Sequence, residues 1–137
     1  MLADVAERFY VDGDFNCAES VLLAANKAYA LGLDPDNCHR LVSAFGGGMG
    51  CGAVCGALAG GIAALGYMTV DNRAHATEGF RELCAGYVNR FNTALGGCDC
   101  SELKPKLFMQ EKRCLRTVRL ACDVLEKQLD ELRSKNA

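Results

Sequence analysis

The sequence predicts an all-α protein: a single domain over residues 1–137, in which five or six helices pack around a central helix rich in Gly and Ala. Apolar residues recur every three or four positions in several segments, whereas no segment alternates apolar and polar residues as a half-buried strand does. Residues 45–70 carry no charged residue, and their middle is almost entirely Gly, Ala and Cys. A chain of 137 residues can bury a core as one domain.

The uncharged segment 45–70 is expected to be a buried helix entered through a glycine loop. Gly52, Gly56 and Gly60 recur every four residues, which gives a helix one bare stripe against which another backbone can pack closely. Cys51 and Cys55 form a neighbouring stripe. A membrane span is not expected, because the opening Gly-rich run would place irregular backbone in lipid.

Three helices are predicted before this segment. The first covers residues 2–10, and the second begins after Asn16, a favoured N-cap, with Glu19 three positions on as in a capping box, and runs to Gly32. Cys17 then falls in the first helical turn, where free backbone N–H groups favour a thiolate. A third helix is predicted over residues 37–45 with Asp36 as its cap.

Two longer helices are predicted after it. Residues 71–95 and 112–134 have strong helical periodicity, and residues 98–103 form a loop between them that Pro105 keeps from continuing as a helix. Cys84 and Cys122 fall in the apolar stripes and are expected to be core residues. The apolar seam of the last helix continues to Leu129 and Leu132, which suggests a homodimer.

Composition limits the function classes. The net charge of −2, without a basic run, argues against a nucleic-acid-binding protein. Charges within the first ten residues, and no apolar signal core there, favour a cytoplasmic location. Nine cysteines in such a protein indicate metal binding or catalysis rather than disulfide bonds. Adjacent residues on a helix do not share a face, which argues against a joint role for Cys38 and His39.

Six cysteines lie in predicted loops or at helix starts, where a thiolate is stabilised. They are Cys17, Cys51, Cys55, Cys98, Cys100 and Cys114. No C-x-x-C pair occurs, which weakens the thioredoxin-like and zinc-ribbon interpretations. Spacing alone leaves an iron–sulfur cluster, a zinc site and a redox dithiol all open.

Five short motifs, in order, carry a family resemblance. They are FNCAESVLLA, FGGGMG, CGALAG, CSEL and the later Cys114, and the match covers about residues 10–125. The chain resembles the C_GCAxxG_C_C family of redox-active proteins, and it is also similar to the iron–sulfur part of split-Soret cytochromes. The resemblance implies a redox-active domain whose four characteristic cysteines are Cys17, Cys55, Cys100 and Cys114. Family members often lie near transporter genes, which implies a link to a transporter system.

From this resemblance we expect the four cysteine sulfurs to converge at one end of the Gly/Ala helix and to bind an iron–sulfur cluster, most simply [2Fe–2S]. Gly47, Gly48 and Gly56 are expected to contact that cofactor, and a redox partner protein is expected. Cys51 and Cys98 are additions to the family's four, expected to enlarge the site, supply alternate ligands or form a dithiol.

Two alternatives remain open. One is a cofactor-free thiol/disulfide oxidoreductase, in which Cys17 or Cys55 attacks and Cys51, Cys98 or Cys100 resolves. The other is a structural zinc site in an interaction module.

Overall fold

The computed structural model describes residues 1–135, and this part of the chain folds into seven α-helices. They are α1 (Leu2–Val11), α2 (Cys17–Ala28), α3 (Pro35–Val42), α4 (Gly56–Thr69), α5 (Phe80–Leu95), α6 (Cys100–Leu107) and α7 (Leu115–Lys135). The all-α prediction is confirmed for these residues, whereas the predicted count of five or six helices is too low. The last two residues of the predicted domain, 136 and 137, lie outside the described part.

The central position predicted for the Gly/Ala helix is shared by two helices. Helix α4 packs on α2, α3, α5 and α7, but α2 also has four helical neighbours: α1, α3, α4 and α7. A Cβ atom at Gly60 would collide with the backbone carbonyl of Ala18 on α2. The predicted bare stripe on α4 therefore exists, and it brings the α2 backbone into direct contact.

Within residues 45–70 the sequence predicted a glycine loop followed by a helix that already includes Cys51 and Gly52, but the helix begins only at Gly56, because the preceding residues adopt left-handed backbone conformations. Gly47, Gly48, Met49 and Gly50 have φ values between 61° and 74°. Gly52, at φ 76°, therefore does not belong to the helical stripe, and neither does Cys51. The segment forms a tight loop closed by a hydrogen bond from Ala53 N to Gly48 O (2.8 Å).

Helix α6 replaces the loop predicted for residues 98–103. Asp99 and Glu102 form a capping box at its start, and Pro105 is accommodated within the helix. The α5 helix begins at Phe80 rather than at residue 71, after a 3-10 turn at Ala74–Ala76.

The apolar seam of α7 is used inside the chain. Leu129 is fully buried, and Leu132 packs against the same core. The prediction that the seam extends beyond the bundle at these two residues is therefore wrong. The homodimer itself stays a prediction. No helix in residues 1–135 is both long and apolar enough to cross a bilayer.

Candidate functional site

A cavity of about 220 Å³ lies at the ends of four helices, and four cysteines line it. They are Cys17, Cys55, Cys100 and Cys114, and we call this space the cysteine cavity. The structure thus brings together the four cysteines that the family resemblance selected, although their role as metal ligands stays a prediction. Gly47 and Gly56, also expected at the site, line the same cavity.

Each of the four thiols lies at the start of a helix. Cys17 is the first residue of α2, Cys55 is the N-cap of α4, Cys100 is the first residue of α6, and Cys114 immediately precedes α7. The first N–H groups of a helix have no partner within the helix, and its dipole places about half a positive charge there. Four such ends at one cavity favour a negatively charged occupant.

Cys17 is positioned by the capping box that the sequence predicted. Asn16 Oδ1 accepts the Glu19 N–H, and Glu19 Oε1 accepts the Asn16 N–H, both at 3.0 Å. Helix α4 approaches this thiol closely, because a Cβ atom at Gly56 would lie 2.5 Å from Cys17 Sγ. Gly56 is therefore required by the contact between the two helix starts.

Cys55 and Cys100 are held side by side by backbone pairing. Cys55 N donates to Cys98 O (2.8 Å), and Cys100 N donates to Ala53 O (2.7 Å). Gly48 lies against this pair: a Cβ atom there would be 2.7 Å from Cys100 Cβ, and its φ of 64° also favours glycine. Gly48 supports the site through packing and does not line the cavity itself.

Cys114 is connected to α1 through Tyr10, a buried residue that the sequence did not indicate as part of the site. Tyr10 Oη accepts the Cys114 N–H at 3.0 Å. The Arg113 guanidinium lies over the Tyr10 ring, 4.9 Å from its centroid. Arg113 and Lys104 also line the cavity, so two cations face the thiols. Tyr10 lies in an amphipathic helix whose pattern gives no signal for this contact.

Burial raises the pKa of Cys17, Cys55 and Cys114 at this site, contrary to the prediction of stabilised thiolates. It raises the pKa of Cys55 to about 11, although the N–H groups of Leu58 and Ala57 lower it. Burial likewise raises the pKa of Cys17 against the opposing N–H groups of Gly47 and Ala18. The helix starts do favour the thiolate as expected, but desolvation outweighs them.

Cys114 follows the same pattern with different neighbours. Burial raises its pKa most, and the nearby Cys100 thiol raises it further. Lys104, Arg113 and the Tyr10 hydroxyl lower the pKa of Cys114. The thiols of the cavity therefore lie close enough to disfavour each other's ionisation, while the cations partly compensate.

Cys51 and Cys98 do not line the cavity. Cys51 is exposed in the left-handed loop and its Sγ lies 3.6 Å from Gly48 O, while Cys98 Sγ points to Val88 O at 3.9 Å. The backbone carbonyl of Cys98 accepts the Cys55 N–H and so helps to position Cys55.

The other cysteines and His39 lie elsewhere. His39 Nδ1 contacts Glu19 Oε2 at 2.6 Å, and Cys38 is buried away from the cavity. Cys122 is fully buried as predicted, whereas Cys84 is only partly buried and is not a core residue. Its helix presents this position beside the surface turn that contains His75.

In the described part of the chain, no group of three or more His, Cys, Asp or Glu side chains is arranged to bind a single metal ion. The donor set of the cavity consists of four thiols, the ligand type that iron–sulfur clusters and zinc accept.

The sequence was compared with known proteins. The protein family that matches residues 15–128 is described as "Putative redox-active protein (C_GCAxxG_C_C)". No curated protein and no solved structure matches the chain.

Proposed function

The chain belongs to the C_GCAxxG_C_C family, and from that premise we propose that its cysteine cavity binds an iron–sulfur cluster, most simply [2Fe–2S], for electron transfer or redox sensing. The observation that carries this proposal is the meeting of four thiols, each at a helix start, at one cavity. We also propose that the chain is similar to the iron–sulfur part of split-Soret cytochromes.

The donor set fits such a cluster. A [2Fe–2S] centre takes four thiolates, two on each iron, so its ligands do not have to surround one point. Four thiolates and two sulfides together carry more negative charge than the two iron atoms neutralise, and the four helix starts with Lys104 and Arg113 provide compensating positive potential. When bound, the cluster would supply one-electron redox chemistry.

The protein's own residues prepare the thiols for a metal rather than for free nucleophilic attack. Burial raises the pKa of Cys17, Cys55 and Cys114, so these thiols remain protonated at neutral pH without a metal. Ligand binding must then release protons, and the N–H groups of Gly47 and Ala18 remain to donate to the Cys17 sulfur. Raised pKa values lower the reactivity expected of a dithiol oxidoreductase.

We also propose a cellular location and an assembly for the protein. All nine cysteines are free, which supports a cytoplasmic location, because structural disulfides are rare there. We also propose a redox partner, with a link to a transporter system, and leave the homodimer as a second assembly to test.

Anaerobic purification followed by iron, sulfide and zinc analysis and a visible spectrum tests the proposal. We expect equal iron and sulfide, and loss of both in serine variants of the four cavity cysteines. Cys84→Ser and Cys51→Ser are matched controls, because neither thiol lines the cavity, and both should retain the cluster. Iron-free protein that forms a reversible disulfide would support the oxidoreductase instead, and stoichiometric zinc would exclude both redox functions.

A further inference from the structure

Although the sequence has no uninterrupted basic run, one short segment of this acidic protein is enriched in cations. Residues 104–116 contain five cationic side chains and one carboxylate, Glu111. The cations are Lys104, Lys106, Lys112, Arg113 and Arg116, all exposed. They are a third of the Lys and Arg residues of a chain whose net charge is −2. We call this segment and its side chains the basic rim.

The basic rim borders the cysteine cavity. Lys104, Phe108 and Arg113 line the cavity and are exposed at the same time. Phe108 and its neighbour Met109 are about 40% exposed, so large apolar side chains lie among the cations. A surface groove that contains Lys112 and Arg116 adjoins the cavity and shares Tyr10 and Arg113 with it.

Little of this positive charge is neutralised within the chain. Arg116 and Lys106 donate to backbone carbonyls, those of Lys106 and Gly96, at 3.1 Å each. Arg113 has one carboxylate nearby, Asp14 Oδ1 at 3.8 Å, and both side chains are largely exposed. Glu111, Glu7 and Asp123 are the other carboxylates of the groove, and Arg119 already pairs with Asp4 and Glu7.

We propose that the basic rim is the docking surface for an acidic redox protein, which exchanges one electron with this protein across the cavity opening. The partner is an iron–sulfur or flavin protein whose own centre lies beneath a carboxylate-rich face; one partner is oxidised as the other is reduced. This inference rests on the proposed function. An apolar centre within a charged rim is the usual organisation of protein interfaces, and opposite charges accelerate their formation.

Charge complementarity favours a protein over the two other polyanions that a basic surface attracts. The chain as a whole is negative. A nucleic acid or an anionic lipid surface is extended, so its negative potential acts on the entire molecule and repels it. A protein partner contacts only the rim. Phe108 and Met109, which are exposed within the basic rim, also match an apolar protein contact.

Binding of an acidic plant-type [2Fe–2S] ferredoxin, followed by calorimetry and by NMR shift mapping on the ¹⁵N-labelled chain, tests the proposal. We expect shifts centred on residues 104–116 and weaker binding at higher salt, because the Debye length falls to about 3 Å at 1 M. The double variant Lys112→Glu/Arg116→Glu should weaken binding by about tenfold or more, since it reverses two rim charges outside the cavity lining. Arg81→Glu on α5 reverses one charge, the same kind of change as each of those two substitutions, at a pocket that shares no residue with the cavity, and should bind as the unchanged protein does.

Further measurements separate the possible failures. Iron and sulfide content should not change in the double variant, so a loss of binding is distinguishable from a loss of cluster, and Lys112→Gln provides a milder variant if the double variant does not fold. Shifts centred elsewhere, or equally tight binding of a basic cytochrome c, would overturn the docking surface. Tighter, rim-dependent binding to a DNA duplex or to phosphatidylserine vesicles would overturn the choice of a protein partner.

Discussion

Substitution of Gly56 by Ala tests the contact on which the cysteine cavity is built. The added Cβ would lie 2.5 Å from Cys17 Sγ and 2.9 Å from Phe45 O. The thiol can rotate away, at the cost of leaving its position in the cavity. The Phe45 carbonyl belongs to the backbone, so α4 must shift relative to the chain before it.

The magnitude follows from two opposing effects. Overpacking of a tight contact costs about 1–3 kcal/mol. Alanine has a higher helix propensity than glycine by up to about 1 kcal/mol in a helix interior, and by less at the first residue, where Gly56 lies. We therefore expect the free energy of unfolding to fall by about 1–2 kcal/mol. Gly86→Ala in α5 is the matched control, because its Cβ would have no atom within 4 Å, and it should gain about 0.5–1 kcal/mol.

Urea unfolding of the apo protein, followed by circular dichroism, measures both changes. A double-mutant cycle with Cys17→Ala isolates the contact with the sulfur. Removing the sulfur should recover part of the lost unfolding free energy, and the part that remains lost is due to the contact with Phe45 O. Cluster loading of Gly56→Ala should also fall, because the displaced Cys17 thiol is one of the proposed ligands. If Gly56→Ala were as stable as the unchanged protein and retained its iron, the close contact of α2 and α4 would not exist.

Three further predictions concern buried side chains. The Tyr10 hydroxyl accepts the Cys114 N–H and lowers the pKa of the Cys114 thiol, and Tyr10→Phe removes it. We therefore expect the free energy of unfolding to fall by about 1–3 kcal/mol and the alkylation of Cys114 to become slower. Unchanged alkylation would contradict the contact. In the apo protein, burial raises the pKa of Cys55 from 9.0 to about 11, so the unfolded thiol ionises first as the pH rises. Cys55 should therefore lower the unfolding free energy by about 2–3 kcal/mol across that window, and Cys55→Ser should remove this contribution while those of Cys17 and Cys114 remain. Tyr87 Oη is buried without a hydrogen-bond partner among residues 1–135, so Tyr87→Phe should be neutral or gain about 1 kcal/mol in urea, and a clear loss would indicate a missed partner.

The parts of the fold that the sequence predicted are those determined by contacts a few residues apart. Asn16 and Glu19 start α2 as predicted, because each side chain reaches backbone within three residues of it. The same type of signal was available for α6 in Asp99 and Glu102, but Pro105 was interpreted as preventing a helix. Proline removes one N–H group, and an eight-residue surface helix with a strong cap tolerates that loss.

Long-range contacts determine the parts that could not be predicted. Residues 71–79 lack a buried residue, so nothing repays the entropy of forming a helix there, and Gly79 at φ 71° precedes the actual start of α5. Cys51 and Gly52 were assigned to helical stripes from their spacing alone. They lie in the glycine loop instead, because Gly48 must fit between Ala53 and Cys100, which lies far away in the sequence.

The pKa values of the cavity thiols follow from the same distinction between local and long-range effects. A helix start is a local feature, so the sequence correctly indicated N–H groups that favour a thiolate at Cys17. Burial depends on every element around the cavity, and for Cys17, Cys55 and Cys114 it raises the pKa more than those groups lower it. A buried thiol of this kind is a poor free nucleophile, but it is a suitable metal ligand, because a bound cation supplies the charge that water no longer can. For Cys17, Cys55 and Cys114, the opposition between burial and the helix starts therefore supports the proposed metal cluster over the dithiol enzyme.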